Sequence, residues 1–186
     1  MKTKDWFTDW FNTPYYHILY KDRNDGEAQL FMKHITTFLN LPKTTHILDL
    51  PCGKGRHSVF LNSLGYKVTG GDLAANSIKL AKEFENETLN FKVHDMRAPF
   101  NNKYDAVFNL FTSFGYFEDD KEDILILNNI KQGLKKDGVF VIEDVQNNYL
   151  VYLQSKLKNY DIDIVVGSTQ SKKVFGDNNL IIIRKT

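Results

Sequence analysis

Three aspartates stand at equal intervals along this chain, Asp49, Asp72 and Asp95, each 23 residues beyond the last. Each closes an apolar run, and carboxylates at the carboxyl ends of neighbouring strands are placed to accept hydrogen bonds from ribose hydroxyls and amines. Between the first two lies Asp49-Leu-Pro-Cys-Gly-Lys-Gly-Arg-His57. Gly53 and Gly55 remove Cβ atoms where the backbone must bend and let a ligand approach, and a helix opening near Arg56 offers unpaired N–H groups. Asp72 ends the next strand, about 20 residues past the turn, the position from which an acid takes a ribose diol. An adenosine wants acceptors for its diol and its exocyclic amine, and apolar contact on both faces of its base. Asp72 and Asp95 supply the acceptors, Leu73 and Met96 the apolar faces. Taken singly, Asp49 also reads as closing the glycine loop, Asp72 as a helix-start acid and Asp95 as a turn residue; the common spacing puts them along one crevice.

The elements that must position these groups alternate between strand and helix. Ile47, Leu48 and Leu50 form a buried strand, Arg56 to Leu64 a crossover helix ended by Gly65, and Lys67 to Gly71 the second strand. Residues 75 to 87 read as a helix capped by Asn76 or Ser77, with Ile78, Leu80, Ala81 and Phe84 facing inward. Strands at Leu89 to Val93 and Tyr104 to Leu110 follow. The next helix starts at Asp119 and Asp120 and is closed by Gly138; its acidic first turn and basic last turn (Lys135, Lys136) suit the helix dipole, and Ile124, Leu127, Ile130 and Leu134 give its buried face. Val139 to Ile142 is a fifth strand. Upstream, Glu27 to Asn40 is a helix burying Leu30, Phe31, Ile35, Phe38 and Leu39, with His34 given no role. Downstream, Leu150 to Leu157 reads as a helix, and Ile162 to Val166 and Leu180 to Ile183 as an antiparallel pair around Gly176-Asp177-Asn178. The class is α/β.

At 186 residues the chain reads as one domain, with an aromatic cap or lid over 1–26, a core over 46–145 and a terminal helix and hairpin over 150–186. A net charge of +1 argues against a nucleic-acid or membrane surface. Cys52 stands alone, which excludes an internal disulfide, and no run approaches the ~18 apolar residues of a membrane span, so a cytoplasmic location is expected. No metal-ligand spacing is present.

The run from Asp49 to His57 resembles the first motif of the class I S-adenosylmethionine-dependent methyltransferases. It departs from the dinucleotide fingerprint, in which a third small residue follows the second glycine by three; Ser58 stands there. Asn109-Leu-Phe-Thr-Ser-Phe-Gly-Tyr-Phe117 is similar to the fourth motif of the same family, which passes beneath the methionine part of the cofactor and faces the acceptor. The similarity extends from about Tyr15 to Thr186. It implies a Rossmann-like, mostly parallel seven-stranded sheet with helices on both faces and an antiparallel C-terminal hairpin. It also implies S-adenosylmethionine as cofactor, S-adenosylhomocysteine as product and a small-molecule acceptor. The cofactor residues implied are Tyr15, Asp49, Pro51, Cys52, Gly53, Gly55 and Arg56 at the first motif and lid, Asp72, Leu73, Asp95 and Met96 at the next two strand ends, and Asn109, Leu110 and Phe111 at the fourth. Tyr16 and Thr112 lie beside them. A base is optional for methyl transfer; His57, His17 and Tyr116 are nearest the crevice, His57 also reading as a cap or cofactor-carboxylate contact. Relatives often carry an antiparallel lid after the fifth strand, whereas this chain passes there in the few residues from Val145 to Tyr149. Three rival functions stand beside this one, a noncatalytic cofactor-binding module, a nicotinamide-dependent oxidoreductase and a nucleic-acid methyltransferase, the last opposed by the near-neutral charge.

Overall fold

The computed structural model describes residues 25–110, 120–144 and 179–185. In chain order the elements are α1 (Asp25–Phe38), β1 (His46–Asp49), α2 (Arg56–Ser63), β2 (Lys67–Asp72), α3 (Ala75–Ala81) with a 3-10 turn at Lys82–Phe84, β3 (Leu89–Val93), β4 (Tyr104–Asn109), α4 (Asp120–Gly133), β5 (Leu134–Asp144) and β6 (Asn179–Arg184). The strands form one sheet in the order β3-β2-β1-β4-β5-β6. All neighbours are parallel except β6, which runs antiparallel to β5. The expected mostly parallel sheet with an antiparallel last strand is therefore present, with six strands among the described residues. The strand at 162–166 and the helix at 150–157 lie outside them. Because the chain steps outward from β1 to β3 and then returns to β4 on the other side of β1, a crevice opens at the carboxyl ends of β1 and β4.

Each face of the sheet carries its own core. Ile47, Val68, Phe91, Phe108 and Val141 pack with Met32 and Ile35 of α1, Leu61 of α2 and Ile78 of α3. Leu48, Val107, Phe140 and Ile142 pack with Ile126, Leu127 and Ile130 of α4. The link from β3 to β4 contains no helix. There a row of rings covers the second face instead: His94 stacks on Phe100 at 4.8 Å, Phe100 meets Tyr104 edge-on at 6.2 Å, and Tyr104 meets His46 at 4.8 Å. At the margin beyond β3, the Phe91 amide donates to Glu85 Oε1 at 2.7 Å and the Leu89 amide to Asn86 Oδ1 at 3.1 Å.

Helix faces and ends depart from expectation in three places. The buried stripe of α1 is Ala28, Phe31, Met32, Ile35 and Leu39, leaving Leu30 and Phe38 exposed; on α3 and its 3-10 turn, Leu80 and Phe84 are likewise exposed. On α4, Ile126 rather than Ile124 is buried. That helix also stops at Gly133, and Lys135 to Gly138 form a bulge in β5, across which the pairing jumps from Tyr104–Leu134 to Ala106–Val139. Asp137 takes a left-handed φ of 61°. Its amide donates to the Lys185 carbonyl at 2.8 Å while the Lys185 amide donates to the Gly138 carbonyl at 2.9 Å. The cations that meet the end of α4 are accordingly Lys185, whose Nζ donates to the carbonyls of Lys131 and Leu134, and Lys103, which donates to the Gln132 carbonyl, while Lys135 instead pairs with Asp105 at 2.9 Å. Among the described residues no helix is long and apolar enough to cross a membrane.

Candidate functional site

The glycine turn is laced to the strands on either side of it. The Leu50 amide donates to Phe108 of β4 at 2.9 Å and the Cys52 amide to Gly71 of β2 at 2.8 Å, while the Gly55 amide closes a turn onto Cys52 at 2.9 Å. Gly53 and Gly55 both hold left-handed backbones, φ 55° and 84°. Among the described residues a Cβ at Gly53 would meet nothing within 4 Å, whereas one at Gly55 would lie 2.6 Å from the Phe91 ring. Gly53 thus shapes the surface a ligand reaches, and Gly55 the contact beneath it.

Asp72 is the strut of this turn. Its Oδ2 accepts from the Gly53 amide at 2.7 Å and its Oδ1 from the Ala74 amide at 2.8 Å. The second bond satisfies the start of α3, where neither Asn76 nor Ser77 acts as the cap: Ala74 is at the cap position without a side-chain bond. Each carboxylate oxygen keeps one lone-pair direction in hand. Burial raises the Asp72 carboxyl above its ordinary range, against the pull of the two amides.

Asp49 lies deeper, 1% exposed, on the neighbouring strand. Ser58 Oγ donates to its Oδ2 at 2.6 Å. Burial, with the nearby charge of Asp72, pushes this carboxyl up to about 7 against the Ser58 bond. At the end of β4, Asn109 is buried; its Nδ2 donates to the Leu50 carbonyl at 2.9 Å, and its Oδ1 finds no partner among the described residues. That oxygen is an orphaned acceptor beside the turn.

Asp95 is placed at the end of β3, at the same sheet edge, but its oxygens are already engaged. Arg97 reaches back to it through its backbone amide (2.9 Å), Nε (3.0 Å) and Nη2 (2.7 Å). Burial alone would raise this carboxyl; the bonds and charge of Arg97 outweigh it and hold it below the usual range. Arg97 also pairs with Glu122 of α4 at 2.9 Å, and Asn129 Nδ2 donates to the Arg97 carbonyl at 2.8 Å, so the segment after β3 is pinned onto α4. An amine arriving at Asp95 shares acceptors with a guanidinium.

The remaining candidates divide by depth. Leu73, Met96, Pro51, Arg56 and His57 are half-buried, and Met96 packs against the core beneath α4. Arg56 Nη2 and His57 Nε2 stand 3.4 Å apart at the start of α2. Leu110 is buried in the core on the α1–α3 face. Cys52 is buried too, and burial pushes its thiol up, which disfavours the thiolate. Tyr15, Tyr16, His17, Phe111, Thr112 and Tyr116 lie outside the described residues. Among those described, no group of three acidic, histidine or cysteine side chains could hold a metal ion. Sequence reasoning missed the Ser58–Asp49 bond and the Arg97 clamp. The second carried a local signal, since an aspartate two residues before an arginine can bond its backbone and side chain at once.

Comparison with known proteins bears directly on this edge. A family profile described as a methyltransferase domain matches residues 41–177. The glycine/sarcosine N-methyltransferase of Halorhodospira halochloris is 31% identical over 140 residues, 71% of this chain and 49% of that protein. The chain spans about half the length of the curated relatives it matches. Among solved structures, a TehB-like SAM-dependent methyltransferase from Corynebacterium glutamicum superposes with a TM-score of 0.71 at 19% identity, covering 97% of this chain and 98% of that one. The magnesium protoporphyrin IX methyltransferase of Synechocystis, solved with bound SAM, gives 0.71 at 16% identity over 99% and 98%. The profile takes in the glycine turn and the ends of β1 to β5, and the sheet is shared along its whole length with solved members; this chain belongs to the class I S-adenosylmethionine-dependent methyltransferase family.

Proposed function

We propose that the chain binds S-adenosylmethionine across the carboxyl ends of β1 to β4 and directs its methyl group to a small-molecule acceptor. The observation that carries this is the shared edge itself: Gly53 bonded to Asp72, with Asp49, Asp95 and Asn109 on the adjoining strand ends. The residues suit the cofactor on three counts. Asp72 keeps acceptor capacity for a ribose diol, no described residue lies within 4 Å of where a Gly53 Cβ would stand, and buried Asp49 with the orphaned Asn109 oxygen suits a cationic methionine end. Leu73 and Met96 offer apolar contact to the base.

When bound, the cofactor supplies a methyl group activated by its sulfonium. The chain's own contribution is to orient and hold, and alignment for in-line attack is worth ~7–11 kcal/mol of barrier. No dedicated base is required; of the three candidates His57 alone lies among the described residues, half-buried at the start of α2. A small acceptor is favoured over nucleic acid by the net charge of +1 and by the glycine/sarcosine enzyme among the relatives. We read the chain as one domain acting in the cytoplasm, in keeping with its balanced charge and single thiol.

Calorimetry with S-adenosylmethionine and S-adenosylhomocysteine tests the reading. Both are expected to bind wild type, and Asp72→Asn is expected to weaken each by at least ~1 kcal/mol, because charge-assisted bonds to the diol are lost. Equal affinities in the two proteins would remove Asp72 from the site.

A further inference from the structure

Ser58 occupies the place where the dinucleotide fingerprint has a glycine or alanine for close packing of helix on strand. It is fully buried in the first turn of α2. Packing alone would be served by alanine, and a hydroxyl in such a place costs stability unless it finds a partner. Its partner is Asp49, nine residues earlier, at 2.6 Å, a separation typical of a hydroxyl bonded to a charged carboxylate.

We infer that Ser58 is a positioning residue, whose hydroxyl fixes the orientation of the Asp49 carboxylate and favours its charged form, so that it can receive the cationic methionine end of the cofactor. The inference rests on the cofactor reading above for its consequence, though not for its first observable. The groups that face Asp49 make the case. Asp72 on β2 adds a like charge, and the Cys52 thiol in the turn is buried and neutral. Burial and Asp72 both favour the protonated acid; the Ser58 hydroxyl opposes them, with a smaller contribution from the backbone amide of the same residue. Without it the carboxyl keeps its proton to higher pH and presents a neutral group to a cation. Cofactor binding is then linked to loss of that proton, and affinity falls about tenfold for each pH unit below the Asp49 titration.

The test follows the Asp49 carboxyl carbon by NMR in ligand-free protein, assigned with Asp49→Asn, alongside calorimetry with S-adenosylmethionine between about pH 6 and pH 9. In Ser58→Ala the Asp49 midpoint is expected to rise by about one pH unit or more. The affinity profile should move with it, about tenfold weaker at neutral pH and converging with wild type at the alkaline end. Ser58→Cys, near-isosteric with a weak donor, should fall between the two. A midpoint unmoved in both variants, or an affinity loss of the same size at every pH, overturns the inference and leaves Ser58 a packing residue. Failure of wild type to bind at any pH, with the midpoint still moving, overturns the cofactor reading instead.

Discussion

Asp49→Asn is expected to stabilise the ligand-free protein at pH 8 by ~2–4 kcal/mol while abolishing tight cofactor binding. The wild-type carboxyl is moved from 3.8 to about 7 by burial and by Asp72, so the folded state holds its proton across a range in which the unfolded chain has released it. Where the native state binds more protons than the unfolded one, stability falls as pH rises. The loss therefore begins near pH 4 and is complete above about 7, where the charge is buried at full cost. Asparagine still accepts from Ser58 and has no charge to bury; its new N–H donors need a partner, which is why the lower figure is admitted. Urea unfolding from pH 4 to 8 measures the difference. The two stability curves should meet near pH 4 and separate steadily above it, and parallel curves would contradict the buried ionisation.

Gly55→Ala should be the most destabilising single-methyl change in the glycine turn, by ~3–5 kcal/mol, from left-handed strain and overpacking together. Its φ of 84° penalises any side chain, and the added Cβ would lie 2.6 Å from the Phe91 ring and 3.2 Å from Ala81. The ring has no room to retreat, because Gly70 approaches it from β2: a Cβ there would stand 2.4 Å from Phe91. Gly53→Ala is the informative contrast. It bears similar backbone strain at φ 55° but its Cβ meets none of the described residues, so stability should fall by only ~1 kcal/mol while cofactor affinity drops. Denaturant unfolding with calorimetry separates the two, and equal losses of stability would mean that Phe91 does not enforce glycine at 55. Trimming the ring, as Phe91→Leu, should return part of the loss at Gly55 and nothing at Gly53.

The sheet was legible because its signals are local. Apolar runs ending in acids 23 residues apart mark βα units, and a parallel sheet places such acids at one edge whatever surrounds them. What escaped depended on distant partners. Lys135, Lys136 and Gly138 look like a helix end, but the backbone there is captured by Lys185, far along the chain. The stripe on α1 is turned from expectation because the small Ala28 and the unbranched Met32 are buried while Leu30 and Phe38 are exposed. Ser58 registered only as a missing glycine, since its bond to Asp49 exists only once α2 packs against β1. Asp95 was found at the right edge, yet the Arg97 clamp that occupies it is visible only in three dimensions.

The margin beyond β3 has one more implication. An outer strand with vacant amides is a template on which another chain's backbone can be laid down. Here Glu85 and Asn86 already occupy the outward amides of Phe91 and Leu89. A second copy laid along this part of β3 would first have to prise away a carboxylate and a side-chain amide.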